Sequence, residues 1–205
     1  STTVAYGNGL FTIVAATSSV NSILKSYDGI SWSATTSPVA NQWKGLVYAN
    51  GLFVSVANTG TSRIMSTASS TDQRNVLGRN TGTTWTSRAA SIANGWSSVA
   101  YGNGTFVAVA YSGAGNRVMT SPDGLTWTTR GSAADNDWYS VTYGNGLFVA
   151  VSGTGVGNRV MTSPDGITWT SRTSATDNWW TSVTYGAGLF VAVSSTGSGD
   201  RVMRS

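Results

Sequence analysis

A motif that recurs every 42 residues constrains the fold of this 205-residue chain more than any other feature. It is most easily followed from the tyrosine before each Gly/Ala-x-Gly turn, which occurs at Tyr6, Tyr48, Tyr101, Tyr143 and Tyr185. The spacings are 42, 53, 42 and 42, so the second repeat carries an insertion at approximately 67–79. A fixed period of this size is typical of solenoids, propellers and repeat arrays. We predict a single domain with units at approximately 1–37, 38–90, 91–132, 133–174 and 175–205.

Each unit is predicted to form four short β-strands. In the third unit these are residues 97–101, 105–110, 117–121 and 126–130, which are rich in Val, Thr, Phe, Tyr and Trp. Gly-Asn-Gly and Pro-Asp-Gly stand at the hairpin positions between strands. Four-stranded units stacked face to face are the blades of β-propellers. The sequence therefore predicts an all-β, five-bladed β-propeller whose last blade lacks its outer strand. Truncation explains that open edge, and strand donation by a partner is the alternative.

The third hairpin has a similar sequence in three of the units. These segments are Ser-Tyr-Asp-Gly-Ile-Ser-Trp at 26–32, Ser-Pro-Asp-Gly-Leu-Thr-Trp at 121–127 and Ser-Pro-Asp-Gly-Ile-Thr-Trp at 163–169. They resemble the Asp-box, or BNR, repeat, whose motif Ser-x-Asp-x-Gly-x-Thr-Trp is one residue longer between Asp and Gly. The resemblance implies a propeller hairpin between the third and fourth strands, with a structural turn role for Asp28, Asp123 and Asp165. An Asp before Gly can accept hydrogen bonds from turn amides, which agrees with that role.

Catalysis is not expected. Asp-box propellers include sialidases, and that resemblance implies a tyrosine nucleophile backed by Glu, but the chain contains no Glu. It also lacks His and Cys, which excludes imidazole and thiolate chemistry and ordinary zinc sites. A carboxylate pair of Asp137 and Asp177 is conceivable for glycoside hydrolysis, although nothing else in the sequence supports it. We predict a non-enzymatic protein with no catalytic residue, no metal site and no cofactor.

Two sets of loops are predicted to lie on one face of the propeller. The connections between blades end in a tryptophan at Trp43, Trp96, Trp138 and Trp180. The loops between second and third strands carry polar residues at Arg63, Asn116, Arg117, Asn158, Arg159, Asp200 and Arg201. Indoles that stack on a sugar, beside amide and guanidinium groups that bond its hydroxyls, indicate glycan recognition. The alternative is structural, with each Trp wedged between blades and each Arg bonded to nearby carbonyls.

Trp179 departs from the repeat, because the aligned positions hold Gln42, Gly95 and Asp137. We assign it either to a ligand contact or to capping of the irregular last blade.

The leading hypothesis is a binding module that recognises glycans or a surface protein through its loop face. The alternative is an assembly subunit of a surface filament or virion, which self-associates through the open edge of the last blade. Charged residues make up only 10% of the chain and the arginines recur once per repeat, so no nucleic-acid partner is predicted. No apolar stretch is long enough to span a membrane. The abundance of Ser, Thr, Gly and Asn favours an extracellular, cell-surface or virion-surface location.

Overall fold

The chain is built from short antiparallel β-strands. The computed structural model describes residues 2–67 and 84–205. These residues form 19 strands and no helix, and the strands make five sheets. Among the same residues, no helix capable of crossing a membrane is found. The predicted insertion lies outside the described residues, except for its first residue, Thr67.

Two compact units can be distinguished, and the first contains sheets 1 and 2. Unit 1 comprises Ser1–Ala93 and Asp123–Thr126. In both of its sheets, the order of the strands follows the order of the chain. Sheet 1 consists of β1 (Thr2–Gly7), β2 (Leu10–Ala15), β3 (Ile23–Ser26) and β4 (Ser33–Thr35). Sheet 2 consists of β5 (Trp43–Ala49), β6 (Leu52–Ala57), β7 (Ile64–Thr67) and β8 (Trp85–Arg88).

The second unit contains sheets 3 to 5. Unit 2 comprises Asn94–Pro122 and Trp127–Ser205. Sheet 3 consists of β9 (Trp96–Gly102), β10 (Thr105–Ala110), β11 (Val118–Ser121) and β12 (Thr128–Arg130). Sheet 4 consists of β13 (Trp138–Gly144), β14 (Leu147–Ser152), β15 (Val160–Ser163) and β16 (Thr170–Arg172). Sheet 5 has three strands, β17 (Trp180–Gly186), β18 (Leu189–Ser194) and β19 (Val202–Arg204). The predicted all-β architecture, with one strand fewer in the last sheet, is confirmed.

The first hairpin of every sheet uses the same two-residue turn. In sheet 4, Asn145 and Gly146 have φ values of 47° and 76°. Two successive positive φ values define the type I′ turn, whose twist matches that of the flanking strands, and Asn-Gly is its preferred sequence. Sheet 5 differs, because Ala187 occupies the Asn position with a φ of 50°. A Cβ-bearing residue other than Asn or Asp is strained in that conformation.

Neighbouring sheets of unit 2 pack face to face through apolar side chains and one recurring close contact. Val109 and Val118 of sheet 3 lie in one buried cluster with Trp138 and Met161 of sheet 4. At the end of β13, Gly144 lies against the ring of Tyr185, and a Cβ there would overlap that ring. Gly102 meets Tyr143 in the same way one sheet earlier. Within unit 2, glycine at these two positions therefore allows the sheets to approach this closely, whereas the second repeat has Ala49 at the equivalent position.

Serine hydroxyls link the same pairs of sheets. The amide of Val141 donates to Ser98 Oγ over 3.2 Å, and the amide of Val183 donates to Ser140 Oγ over 3.1 Å. Because these amides lie inside the stack, the hydroxyls provide the hydrogen-bond partners that buried backbone groups need. The repeat thus encodes the contact between sheets as well as the strands.

The hairpins that resemble the Asp-box are held by their carboxylates. Asp165 Oδ1 accepts from the amides of Ile167 and Thr168 at 2.8 and 2.9 Å. These bonds, led by that from Thr168, hold the pKa of Asp165 below its ordinary value. Asp28 makes the same pair of bonds to Ile30 and Ser31, and its pKa is also lowered, chiefly by the Ser31 amide.

In the hairpin between β11 and β12, Asp123 Oδ1 accepts hydrogen bonds from the amides of Leu125 and Thr126 at 2.8 and 2.9 Å. In the structure all three carboxylates accept hydrogen bonds from backbone amides of their own turns.

Candidate functional site

The four repeated tryptophans begin the first strand of their sheets and are fully buried. Trp43, Trp96, Trp138 and Trp180 each have 0% of their surface exposed. The indole N–H of Trp138 donates to the carbonyl of Ala134, and that of Trp180 donates to Thr176. A ring without exposed surface cannot stack on a sugar. The structure therefore corrects the prediction that these four indoles contact a ligand and supports the packing alternative.

The predicted polar residues of the loops are bonded to the protein itself. Arg117 donates to the Gly113 carbonyl at 2.9 Å, and its guanidinium pairs with Asp135 and Asp137 at 3.0 and 2.5 Å. Arg159 donates to the carbonyls of Gly155, Gly153 and Asn178. Arg63 and Arg201 likewise donate to the carbonyls of Gly60 and Gly197. These arginines brace the loops that they belong to.

A buried asparagine two residues before each repeated tryptophan ties the two loop sets together. Asn94 Nδ2 donates to the carbonyl of Asn116 at 2.9 Å, and Asn136 Nδ2 donates to that of Asn158 at 2.9 Å. Asn178 makes the same bond to Asp200 at 2.9 Å. The backbone carbonyls of Asn116, Asn158 and Asp200 thus accept the hydrogen bonds that join the two sets of loops. The recurrence of Asn at this position is the sequence signal that could have found it.

The two carboxylates considered for glycoside hydrolysis, Asp137 and Asp177, are each paired with a different arginine. Asp137 pairs with Arg117, whereas Asp177 lies 3.5 Å from Arg159 Nε and accepts from the Gly157 amide at 2.7 Å. Neither arrangement places the two carboxylates across a common cleft. No cluster of His, Cys, Asp or Glu that could hold a metal ion occurs in the described part of the chain.

Three aromatic rings form a ladder across the loops of unit 2. Tyr111 follows β10, Tyr139 is the second residue of β13, and Trp179 directly precedes β17. The ring centroids of Tyr111 and Tyr139 are 6.0 Å apart and nearly parallel, at 13°. Tyr139 and Trp179 are 5.5 Å apart and inclined at 43°. We call Tyr111, Tyr139 and Trp179 the aromatic ladder; it crosses sheets 3, 4 and 5.

Buried neighbours and glycines position the rings. Tyr139 and Trp179 each lie next to a fully buried repeat tryptophan, Trp138 or Trp180. The ring of Trp179 lies against Gly153, where a Cβ would overlap the indole. The amide of Trp179 also donates to Thr196 Oγ1 at 2.7 Å, which fixes its backbone. The ladder therefore rests on a buried layer, while Trp179 keeps 45% of its surface exposed.

The ladder is amphipathic. Burial, followed by the negative charge of Asp137 and by Tyr111, raises the pKa of Tyr139 above its ordinary value. Its hydroxyl is therefore a neutral hydrogen-bond donor and acceptor over the physiological pH range. The site combines three π faces with hydroxyls and one carboxylate.

Of these three residues, only Trp179 was predicted from the sequence. Tyr111 replaces Asn58, Gly153 and Ser195 of other repeats, and Tyr139 replaces Lys44, Ser97 and Thr181. Departure from the repeat, the criterion that selected Trp179, would have selected both tyrosines as well. The sequence does not show that the three departures converge, because they lie in three different repeats.

A second candidate site is an apolar cleft between sheets 4 and 5. Its volume is about 580 Å³, and it is lined by Val149 and Thr162 of sheet 4 and by Phe190 and Met203 of sheet 5. It opens beside β19, which pairs with β18 and with no other strand among the described residues. The cleft thus adjoins a strand edge.

Comparison with known proteins identifies the fold but no family. No family model matches the chain, and no curated protein sequence matches it. The structure of YCF48 bound to D1 peptide matches with a TM-score of 0.66 and 15% identity, over 99% of this chain and 62% of that one. A catalytically inactive virginiamycin B lyase from Staphylococcus aureus, in a structure with quinupristin, matches with a TM-score of 0.72 and 13% identity, over 97% and 66%. The computationally designed Ika8 protein matches with a TM-score of 0.64 and 13% identity, over 98% and 56%.

The chain spans less than two thirds of the length of each of these three proteins. YCF48 and virginiamycin B lyase are β-propellers, so the predicted propeller fold is confirmed and the five sheets are blades. At such low identity the similarity extends to the fold alone. The resemblance to the Asp-box family rests on the sequence motif.

Proposed function

We propose that the protein is a non-enzymatic binding module that recognises glycans through the aromatic ladder. The observation that carries the proposal is that Tyr111, Tyr139 and Trp179, three aromatic departures from the repeat, lie side by side in unit 2. These three aromatic residues have no role in forming blades, since the repeats that lack an aromatic residue at the equivalent position also form blades. A shared surface for a ligand accounts for all three.

The chemistry of the ladder suits a carbohydrate chain. The apolar face of a pyranose ring stacks on an aromatic face, and ring hydroxyls bond to nearby hydroxyl and carboxylate groups. Trp179 offers the exposed indole, and Asp137, with 32% of its side chain exposed, offers acceptor oxygens. Consecutive rings 5.5 and 6.0 Å apart would engage neighbouring sugars of one chain.

The non-enzymatic part of the proposal rests on the carboxylates. Although one of the similar structures is a lyase, this chain has neither Glu nor His. Asp28, Asp123 and Asp165 hold turns, and Asp137 is paired with Arg117. General acid–base catalysis needs a proton donor or acceptor that faces the substrate with a suitable pKa. The proposal also locates the protein outside the cell or on a cell or virion surface, where glycans are displayed.

A glycan-array screen followed by calorimetric titration tests the proposal. The wild-type protein should bind a defined set of glycans, and Trp179→Ala should weaken binding about tenfold or more, because a stacked aromatic surface is lost. Tyr27→Ala is the matched control, since Tyr27 is 53% exposed and lies in another unit. Absence of binding to every glycan, or equal affinity in both variants, would exclude this function.

The edge of sheet 5 favours a second candidate function, assembly through β19. A strand edge beside an apolar cleft is a template for pairing with another chain. In this role the protein would be a subunit of a surface filament or virion. Light scattering over a range of concentrations tests it, because a subunit should form larger species that Arg204→Pro prevents. A monomer at every concentration would rule out self-assembly.

A further inference from the structure

A carboxylate lies beside the centre of the aromatic ladder. Asp137 is two residues before Tyr139 in the chain. The carbonyl of Asp137 accepts from the Gly153 amide at 3.1 Å, and Gly153 lies against the rings of both Tyr139 and Trp179. After burial, the negative charge of Asp137 is the largest cause of the raised pKa of Tyr139. The field of this carboxylate therefore reaches the ladder.

The charges around the ladder are sorted by sign. The Arg117 side chain is 12% exposed, whereas its partners Asp135 and Asp137 are 55% and 32% exposed. The Arg159 side chain is 15% exposed, and its partner Asp177 is 41% exposed. Both guanidinium groups also donate to backbone carbonyls of their own loops. The positive charges are thus mostly buried within the loops, whereas the carboxylates are more open to solvent.

A ligand that approaches the ladder therefore meets negative charge. The carboxylates outnumber the guanidinium groups here, and because they are nearer to solvent, they act more strongly on a group that arrives from it. The aromatic rings act in the same direction, because the face of a ring is the negative side of its quadrupole. Both features of the site attract a cation and repel an anion.

We infer that the ladder binds glycans built from amino sugars, with the ammonium group of one sugar beside Asp137 and against the ladder rings. The inference rests on the glycan function proposed above and adds the class of sugar. Stacking on Trp179 uses the apolar face that pyranoses share, so it recognises a sugar without regard to its charge. The ammonium group adds a cation–π contact and an ion pair. Asp137 is therefore the residue that determines specificity.

Neutral and acidic sugars lack this second contribution. A hydroxyl group in place of the ammonium group can still donate a hydrogen bond to Asp137, so a neutral glycan binds through stacking and hydrogen bonds alone. The carboxylate of a uronic or sialic acid would lie near like charges, which weakens binding. The expected order of affinity is therefore amino sugars first, neutral sugars second and acidic sugars last.

Three tetrasaccharides test this order by isothermal titration calorimetry with the full chain. They are oligomers of glucosamine, glucose and glucuronic acid with the same β-1,4 linkage, so they differ mainly in the charge on each sugar. At low ionic strength, the glucosamine oligomer should bind about tenfold more tightly than the glucose oligomer, and the glucuronic acid oligomer should bind most weakly. Added salt should reduce the difference, since it screens the attraction between exposed charges.

Capped tetralysine separates recognition of a sugar from attraction of any polycation. It has the same number of ammonium groups as the glucosamine oligomer and no pyranose ring. Because it cannot stack as a sugar does on Trp179, it should bind more weakly than the glucosamine oligomer.

Two variants assign the preference to one carboxylate. Asp137→Asn removes the charge with little change in shape, and it should reduce the preference for glucosamine over glucose about threefold or more. Asp200→Asn is the matched control, because it removes an equal charge at a position where the two preceding repeats have Asn158 and Asn116. It should leave the preference unchanged. Circular dichroism verifies that both variants are folded.

Equal affinity for the glucosamine and glucose oligomers, tighter binding of the glucuronic acid oligomer than of the glucose oligomer, or equal preference in Asp137→Asn and Asp200→Asn would overturn the inference. Binding of none of the three oligomers, or binding of tetralysine as tight as that of the glucosamine oligomer, would overturn it as well. The glycan function itself is decided separately, by the array and by Trp179→Ala. Neutral or acidic glycans that bind through Trp179 would support that function and exclude this class of sugar.

Discussion

Two strands of this protein have the same sequence and different surroundings. β14 and β18 both consist of Leu-Phe-Val-Ala-Val-Ser. In β14 every residue after Leu147 is buried, whereas in β18 only Ala192 is buried. Val151 has 0% of its surface exposed, and its equivalent Val193 has 43%. Because stabilisation by apolar burial is proportional to the area removed from water, identical residues contribute unequally in the two sheets.

The difference shows what the repeat encodes. Strand length, turn type and the hydrogen bonds of the first hairpin are local properties, and sheets 4 and 5 share them. Burial depends on the neighbouring sheet, and sheet 4 packs against sheet 3 on one face and sheet 5 on the other. Three pairs of substitutions at equivalent positions, and one substitution in the hairpin of sheet 4, measure how far this asymmetry extends.

The largest difference is expected at the glycine that ends the first strand. A Cβ at Gly144 would overlap the Tyr185 ring, whereas a Cβ at Gly186 has no atom within 4 Å. Gly144→Ala should lower the free energy of unfolding by about 3 kcal/mol, a typical cost of overpacking. Gly186→Ala should change it by less than about 0.5 kcal/mol. Urea unfolding checks both, and equal losses would mean that sheet 5 is as tightly packed as sheet 4.

The next largest difference is expected at the equivalent valines. Val151→Ala removes fully buried methyl groups and should cost about 2 kcal/mol. Val193→Ala removes partly exposed ones and should cost less than about 1 kcal/mol. Thermal and urea unfolding of the two variants provide the comparison. Similar costs would show that another surface covers Val193 in solution.

The hairpin of sheet 4 contains Asp165, and its contribution to the free energy of unfolding should therefore depend on pH. The pKa of Asp165 is lowered in the folded state, so its ionised form stabilises the fold above the ordinary carboxyl pKa. That contribution decreases as the pH falls through the lowered pKa. Asp165→Ala should cost about 1 kcal/mol at pH 7, allowing for solvent exposure. The difference from wild type should shrink towards pH 2; a difference independent of pH would contradict this role.

The sequence predicted the blades well because their determinants are local. Tyr-Gly-x-Gly and Pro-Asp-Gly mark turns, and short segments rich in Val, Thr, Phe, Tyr and Trp between them mark strands. It left the role of Trp138 open between ligand contact and packing, because both place an indole at a fixed repeat position. The ladder was found only at Trp179, since its contacts with Tyr139 and Tyr111 depend on how three repeats stack.

The smallest difference is expected at the type I′ turn, where sheet 5 has the less favourable residue. Ala187 has a φ of 50° at the position that Asn145 occupies in sheet 4. Asn tolerates this conformation because its side chain can bond locally, whereas Ala is strained. Ala187→Asn should therefore raise the free energy of unfolding by about 0.5–1 kcal/mol, and Asn145→Ala should lower it by about the same amount. If urea unfolding gives changes in the free energy of unfolding that are similar in size and opposite in sign, the effect of the turn does not depend on how deeply its sheet is buried. A loss in sheet 4 without a gain in sheet 5 would instead mean that sheet 5 unfolds before its turn is tested, and that the open blade is a separate cooperative unit.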